Sequence, residues 1–129
     1  MTYQISMGGD DRIATLHLGD EPWWEWSDER YAIRRSESVM VNWGLEVEYE
    51  VERPGGGTAW GMCSTRDGCG VRAPGGDWVL RPIDERATML GDTFRLERDR
   101  EARRVAVSPA VEEALVPYVI CGLCILLDE

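Results

Sequence analysis

Four cysteines are the residues here whose type and spacing come closest to a chemical site: Cys63, Cys69, Cys121 and Cys124. Cys121-Gly122-Leu123-Cys124 has metal-ligand spacing, and Cys63 with Cys69 would complete a tetrahedral zinc set. Zinc ribbons hold such pairs in tight turns, whereas this one lies inside an apolar run. Free cysteine is also among the most buried residue types. Core packing is the expectation for all four, with a Cys63–Cys69 bridge and a zinc site as alternatives, and no cofactor is implied. His17 is the single histidine and lies on the side of its strand opposite Ala14, Leu16 and Leu18. Such a residue serves as a general base or a ligand, or simply as an exposed strand residue, which is the expectation here. No nucleophile elbow accompanies it. Gly55-Gly56-Gly57 is followed by strand-like residues and not by a helix start, so it is no phosphate loop. The 24 carboxylates guarantee chance pairs, and no glycosidase-type pair can be singled out. An enzyme is therefore not the expectation.

Two surface features stand out. In Leu45-Glu46-Val47-Glu48-Tyr49-Glu50-Val51-Glu52 every second residue is a glutamate. A strand separates the two sets onto opposite faces, which a helix would mix. Same-face neighbours along a strand lie about 7 Å apart, so Glu46, Glu48, Glu50 and Glu52 repel unless countered. The row reads either as a solvated face paired with arginines such as Arg34, or as a docking surface for a basic partner. The second feature is Trp23-Trp24-Glu25-Trp26, set among acids from Asp20 to Glu29. Trp24 and Trp26 share one strand face and Trp23 takes the other. The three are core if both faces are covered; otherwise one is an exposed anchor for a partner. The candidate partner-binding residues are thus Glu46, Glu48, Glu50, Glu52, Trp23, Trp24 and Trp26.

The elements that must carry these residues are short. Turn signals recur at Gly8-Gly9-Asp10-Asp11, Gly19 to Pro22, Pro54 to Gly57, Asp67-Gly68, Pro74 to Asp77 and Gly91-Asp92. Between them, alternating segments predict strands at 2–7, 12–18, 23–27, 30–36, 39–44, 45–52, 58–65, 70–73, 77–83, 87–90, 93–98 and 102–107. Hairpin-length links suggest an antiparallel barrel or sandwich of about a dozen strands. Ser108-Pro109 reads as an N-cap followed by proline at the first helical position, with Glu112 and Glu113 at the positive helix end. A helix over 109–127 follows, kinked or restarted at Pro117. From Tyr118 to Leu127 it is apolar on every side and must be buried. The uncharged run Ala114–Leu127 spans 14 residues. A membrane helix needs about 20, so no span is expected.

The layout of many short strands before one wholly apolar C-terminal helix resembles the tubby-like superfamily. The residues that carry the likeness are Asp92-Thr93-Phe94-Arg95-Leu96-Glu97, the apolar Val119–Leu127, Asp128, Tyr31-Ala32-Ile33-Arg34-Arg35 and Tyr49-Glu50-Val51-Glu52-Arg53. Phospholipid scramblases and LURP-one-related proteins of that superfamily wrap a twelve-stranded barrel around such a helix. The resemblance implies the same barrel here, with the helix inside it or capping it. Family members with a basic phosphoinositide site imply lipid recognition, but no matching basic cluster is visible in this chain.

The 129 residues fit one domain over 1–129, with strands within 2–107 and the helix at 109–127. Fourteen basic residues, all arginine, stand against 24 acidic ones, a formal charge of −10. That charge opposes nucleic acid and anionic membrane as direct ligands. Met1 to Ile5 lacks a basic region followed by an apolar run, so a signal peptide is not expected and a cytoplasmic location is. The function expected is a non-enzymatic acidic binding protein that meets a basic protein through its acidic strand face. The alternatives are an immunity or inhibitor protein neutralising a basic toxin or nuclease, and a barrel for a lipid or small apolar ligand.

Overall fold

The computed structural model describes the backbone of residues 1–8, 12–40, 44–55, 58–64, 68–73 and 76–127, and the side chains of residues 1–8, 12–36, 49–55, 70–71 and 78–127. Most segments with period-two alternation are strands; residues 102–103 belong to a turn, and residues 41–43 and 65 of the predicted strands lie outside the described residues. Among the described residues there are eleven: β1 (Thr2–Met7), β2 (Ile13–His17), β3 (Trp23–Trp26), β4 (Glu29–Met40), β5 (Gly44–Glu52), β6 (Thr58–Ser64), β7 (Gly68–Ala73), β8 (Gly76–Pro82), β9 (Ala87–Leu90), β10 (Phe94–Asp99) and β11 (Arg104–Ser108). The segment 30–36 and residues 39–40 of the segment 39–44, read as two strands, are one, while Gly44 opens β5. β4 runs unbroken to Met40 because Ser36-Glu37-Ser38 carries neither glycine nor proline to interrupt the ladder.

Each strand lies antiparallel to its neighbour in sequence, from β1–β2 through to β10–β11. The exception to the antiparallel expectation is β1, which also pairs with β11 in parallel, Ile5 opposite Val105 and Met7 opposite Val107. The protein is therefore mainly β, one mixed sheet with a C-terminal helix. The alternation sorts as the pattern requires: β1 buries Tyr3, Ile5 and Met7, and β11 buries Val105 and Val107.

The helix begins later than its sequence signals suggest. Ser108 is the last residue of β11, paired with Arg95, so it caps nothing. Residues 109–112 are extended or irregular, a single 3-10 turn covers Glu113–Leu115, and α1 runs from Val116 to Leu127. Pro117 thus sits in the first turn, where its missing N–H leaves no intrahelical bond unmade. All-round apolarity has the predicted outcome: every residue of α1 except Leu126 is buried.

α1 does not lie evenly against the sheet. Its contacts concentrate on β5, β6 and β7. The reason is side-chain size. On the far strands the buried residues are large: Tyr3, Ile5, Met7, Leu16, Trp24, Trp26, Phe94 and Leu96. On β6 the positions in register with buried Tyr49, Val51 and Val71 are Gly61 and Ala59. Helix backbone can approach closely only where such residues are small. Gly122 marks the approach, since a Cβ there would fall 2.8 Å from Val71 Cγ2. Burying the large apolar side chains of α1 contributes about 1.5–3 kcal/mol each before entropy is counted.

Candidate functional site

The acidic row lies along β5. β4 and β5 hold it through a ladder running from Ala32 opposite Glu52 to Met40 opposite Gly44. Buried Tyr49 and Val51 fix the alternation, so Glu50 and Glu52 turn outward. Arg34 stands opposite Glu50 and its Nη2 lies 3.3 Å from Glu52 Oε2, with side chains 70% and 49% exposed. A pair so solvated is worth at most about 1 kcal/mol, yet it is the kind of countercharge a glutamate row needs. Glu46 and Glu48 occupy β5 positions opposite Ser38 and Ser36; their side chains lie outside the described residues.

The three tryptophans part company. Trp24 is fully buried and stacks on Tyr31 at 4.0 Å between ring centroids. Trp26 is buried as well, with the Arg12 guanidinium 4.2 Å from its ring centroid. Trp23 faces outward and is half-buried. The His17 ring stacks on it at 3.8 Å and 12°, and the Arg30 guanidinium lies 3.8 Å from its ring centroid. Of the three, Trp23 is the one a partner could touch. The stack also explains His17. It stands beside Trp23 in the β2–β3 register, and its Nδ1 is 3.4 Å from Thr2 Oγ1.

Where β5 meets the end of the sheet bearing the turn at 54–55, a polar layer closes over the core. Tyr31 donates to Glu29 Oε2 at 3.0 Å, and Arg53 Nη2 lies 3.4 Å from the Tyr118 hydroxyl. Burial, and then the hydrogen bond to Glu29, push the Tyr31 phenol above its ordinary value. Arg12 donates to Ser27 Oγ at 2.8 Å and reaches Glu113 at 3.9 Å, tying the segment before α1 to this end.

Cys121 and Cys124 are buried in α1, and Cys121 Sγ donates to the Tyr49 carbonyl at 3.6 Å. Burial, reinforced by Cys124, pushes the Cys121 thiol far up, so it stays protonated. Cys63 and Cys69 occupy directly paired positions of β6 and β7. Among the described residues, no group of three or more His, Cys, Asp or Glu side chains is placed to hold a metal ion. Nor is any described helix long and apolar enough to cross a membrane.

The chain matches no protein-family model, no curated protein and no solved structure. What it carries must be read from its own residues. Two features escaped the sequence reading. Trp60 sits opposite both Glu50 and Arg72, placing an aromatic residue in the cross-strand row of the glutamates. Its strand alternation was legible, but its neighbours required the register. The second is an open concavity of about 1210 Å³ over β1, β10 and β11, where five arginines, Arg95 and Arg98 among them, meet five carboxylates, Asp84, Glu97 and Asp99 among them. Arg95 reaches Glu97 at 3.2 Å. Asp84 and Asp99 accept backbone N–H groups of the 84–87 and 99–102 turns, which holds the Asp84 carboxyl below its usual range. The signs balance there, unlike on β5.

Proposed function

We propose that this protein is a non-enzymatic acidic binding protein that recognises a basic protein partner through the outward row of β5, Glu46, Glu48, Glu50 and Glu52, with Trp23 at its margin. The observation that carries the reading is the outward placement of Glu50 and Glu52 on a strand whose opposite face, Tyr49 and Val51, is core. The glutamates are thereby held in a fixed row, and a fixed row of charge raises on-rate and orients an oppositely charged partner. The formal charge of −10 reinforces the attraction.

In this reading the sheet closes as a barrel around α1, in the manner of the tubby-like layout. Support comes from the register, in which each of the eleven described strands pairs on both sides. Large side chains and the helix fill the interior, which favours an outer protein-binding surface over a lumen for a small apolar ligand. A cytoplasmic setting belongs to the same reading. The test is to capture a partner on the immobilised protein and measure association kinetics across salt concentrations for wild type and Glu48→Gln/Glu50→Gln. A slower on-rate and a shallower salt dependence in the variant support the acidic face. Unchanged kinetics and salt dependence refute it.

A further inference from the structure

The proposed function uses none of the four cysteines, and two of them lie on β6 and β7. Register places Cys63 directly opposite Cys69, one pair in from Ser64–Gly68 at the end of the hairpin. Directly paired residues of antiparallel strands have Cα atoms about 4.5 or 5.5 Å apart, depending on the hydrogen-bonding site. Both values fall inside the roughly 4.4–6.8 Å range that a disulfide requires. The backbone thus already holds the pair at bonding separation. A slip of one residue would turn one of the two to the other face. The Val47–Cys63 and Cys69–Leu80 pairings on either side pin the register against that slip. The residues flanking Cys69 are Gly68 and Gly70, so no bulky neighbour on its own strand crowds the approach.

We infer that Cys63 and Cys69 form a cross-strand dithiol that a small-molecule disulfide oxidant converts into an intramolecular disulfide, with Cys121 and Cys124 outside the bond. The thiolate of one cysteine attacks a sulfur of the oxidant and expels one thiolate of the reagent. The thiolate of the second then attacks the resulting mixed disulfide and expels the other. The protein loses two protons and two electrons, and the oxidant gains them as two thiols. Cys121 does not compete, because the thiolate is the attacking species and burial keeps its thiol protonated. The bond would fasten β6 to β7 where β6 pairs with the Glu46 and Glu48 positions of β5.

The test uses the whole chain, equilibrated with oxidised glutathione, then unfolded in denaturant with N-ethylmaleimide and weighed intact. The expected product has lost two hydrogens, carries two maleimide groups, and yields a peptide joining residues 63 and 69 on proteolysis. Prior reduction should restore four maleimide groups. Cys63→Ser and Cys69→Ser should each abolish the internal bond, while Cys121→Ser should retain it. Four alkylated thiols after oxidation would overturn the inference. So would stable glutathione adducts without an internal bond, or a bond reaching Cys121 or Cys124. Purified protein holding one zinc ion on all four thiolates, released only by chelator, would overturn it as well.

Discussion

The two sides of the sheet supply the core in opposite ways. On β1 to β3 and β10 to β11 the side chains do the filling: Trp24, Met7, Leu16, Ile5 and Leu96 are fully buried. On β6 the positions paired with buried Tyr49 and Val51 are Gly61 and Ala59, and α1 supplies the bulk. Where a chain alternates glutamate with valine, the hydrophobic period sets which face is buried. The size of the buried residues then sets where the helix can rest. Interiors are close-packed, so each side must be complementary to what lies against it.

The comparison breaks most completely if the helix itself is made unfit for burial. Leu123 is fully buried near the middle of α1. Leu123→Asp places an unpaired charge in that site and should cost about 4 kcal/mol or more, enough to unfold a typical small domain. Circular dichroism and size-exclusion chromatography read the result; a folded, monodisperse variant would show that α1 is peripheral. On the other side, Trp24→Ala should cost about 3–5 kcal/mol, because the cavity has no helix at hand to collapse into it. Chemical denaturation measures that loss.

A finer test addresses the close approach. In Gly122→Ala the new Cβ would stand 2.8 Å from Val71 Cγ2 and 3.7 Å from Leu90 Cδ1. Alanine is the better helix former by about 1 kcal/mol, but overpacking costs about 1–3 kcal/mol. Net destabilisation is expected. Adding Val71→Ala to Gly122→Ala should cost less than Val71→Ala alone, because it removes the clash. Additive losses in the double-mutant cycle would mean that size on β7 does not position the helix.

Much of this division was legible in the residues. Alternation placed the strands because a buried face and a wet face impose period two, and Leu45 to Glu52 shows that period without a fault. The unbroken apolarity of Tyr118 to Leu127 announced burial on all sides. The helix start was misread because Ser108 and Pro109 have cap chemistry in isolation, while the ladder with β10 claims Ser108 first. The parallel β1–β11 pairing has no local signature, since it joins the two ends of the strand series. At the candidate surface, the outward turn of Glu50 and Glu52 followed from alternation alone. The Trp23–His17–Arg30 stack did not, because stacking depends on which strands are neighbours.

The polar layer over the end bearing the turn at 54–55 supplies a smaller effect, on the order of 1 kcal/mol. Tyr31→Phe removes the hydroxyl bonded to Glu29. A net loss of about 0.5–1.5 kcal/mol is expected at neutral pH. The phenol is raised in the folded state, so folding favours its neutral form. That stabilisation is fully present below the unfolded value, near 10, and is lost as pH rises through the higher folded value. The gap between wild type and Tyr31→Phe should therefore hold through neutral pH and narrow in alkali. A gap that widens above pH 10 would contradict the burial of this phenol.

The smallest expected change lies on the outer face, where the functional reading rests. Val51 and Glu50 are adjacent on β5, one fully buried and one at the surface. Val51→Asp should abolish folding. Glu48→Gln/Glu50→Gln should leave stability within a few tenths of a kcal/mol, or raise it, because like charges on a face repel and their neutral amides do not. The Arg34–Glu52 pair is left intact by this choice of sites, so the variant tests the row and not the ion pair. Thermal melts at low and high salt separate the contributions. Repulsion predicts a gain at low ionic strength that fades as salt screens the wild-type row. If the double variant instead unfolds, the glutamates are part of an internal ion-pair network. The outward face of β5 would then be structural, and Trp23, with His17 and Arg30 stacked against it, would be left as the surface on which a partner could dock.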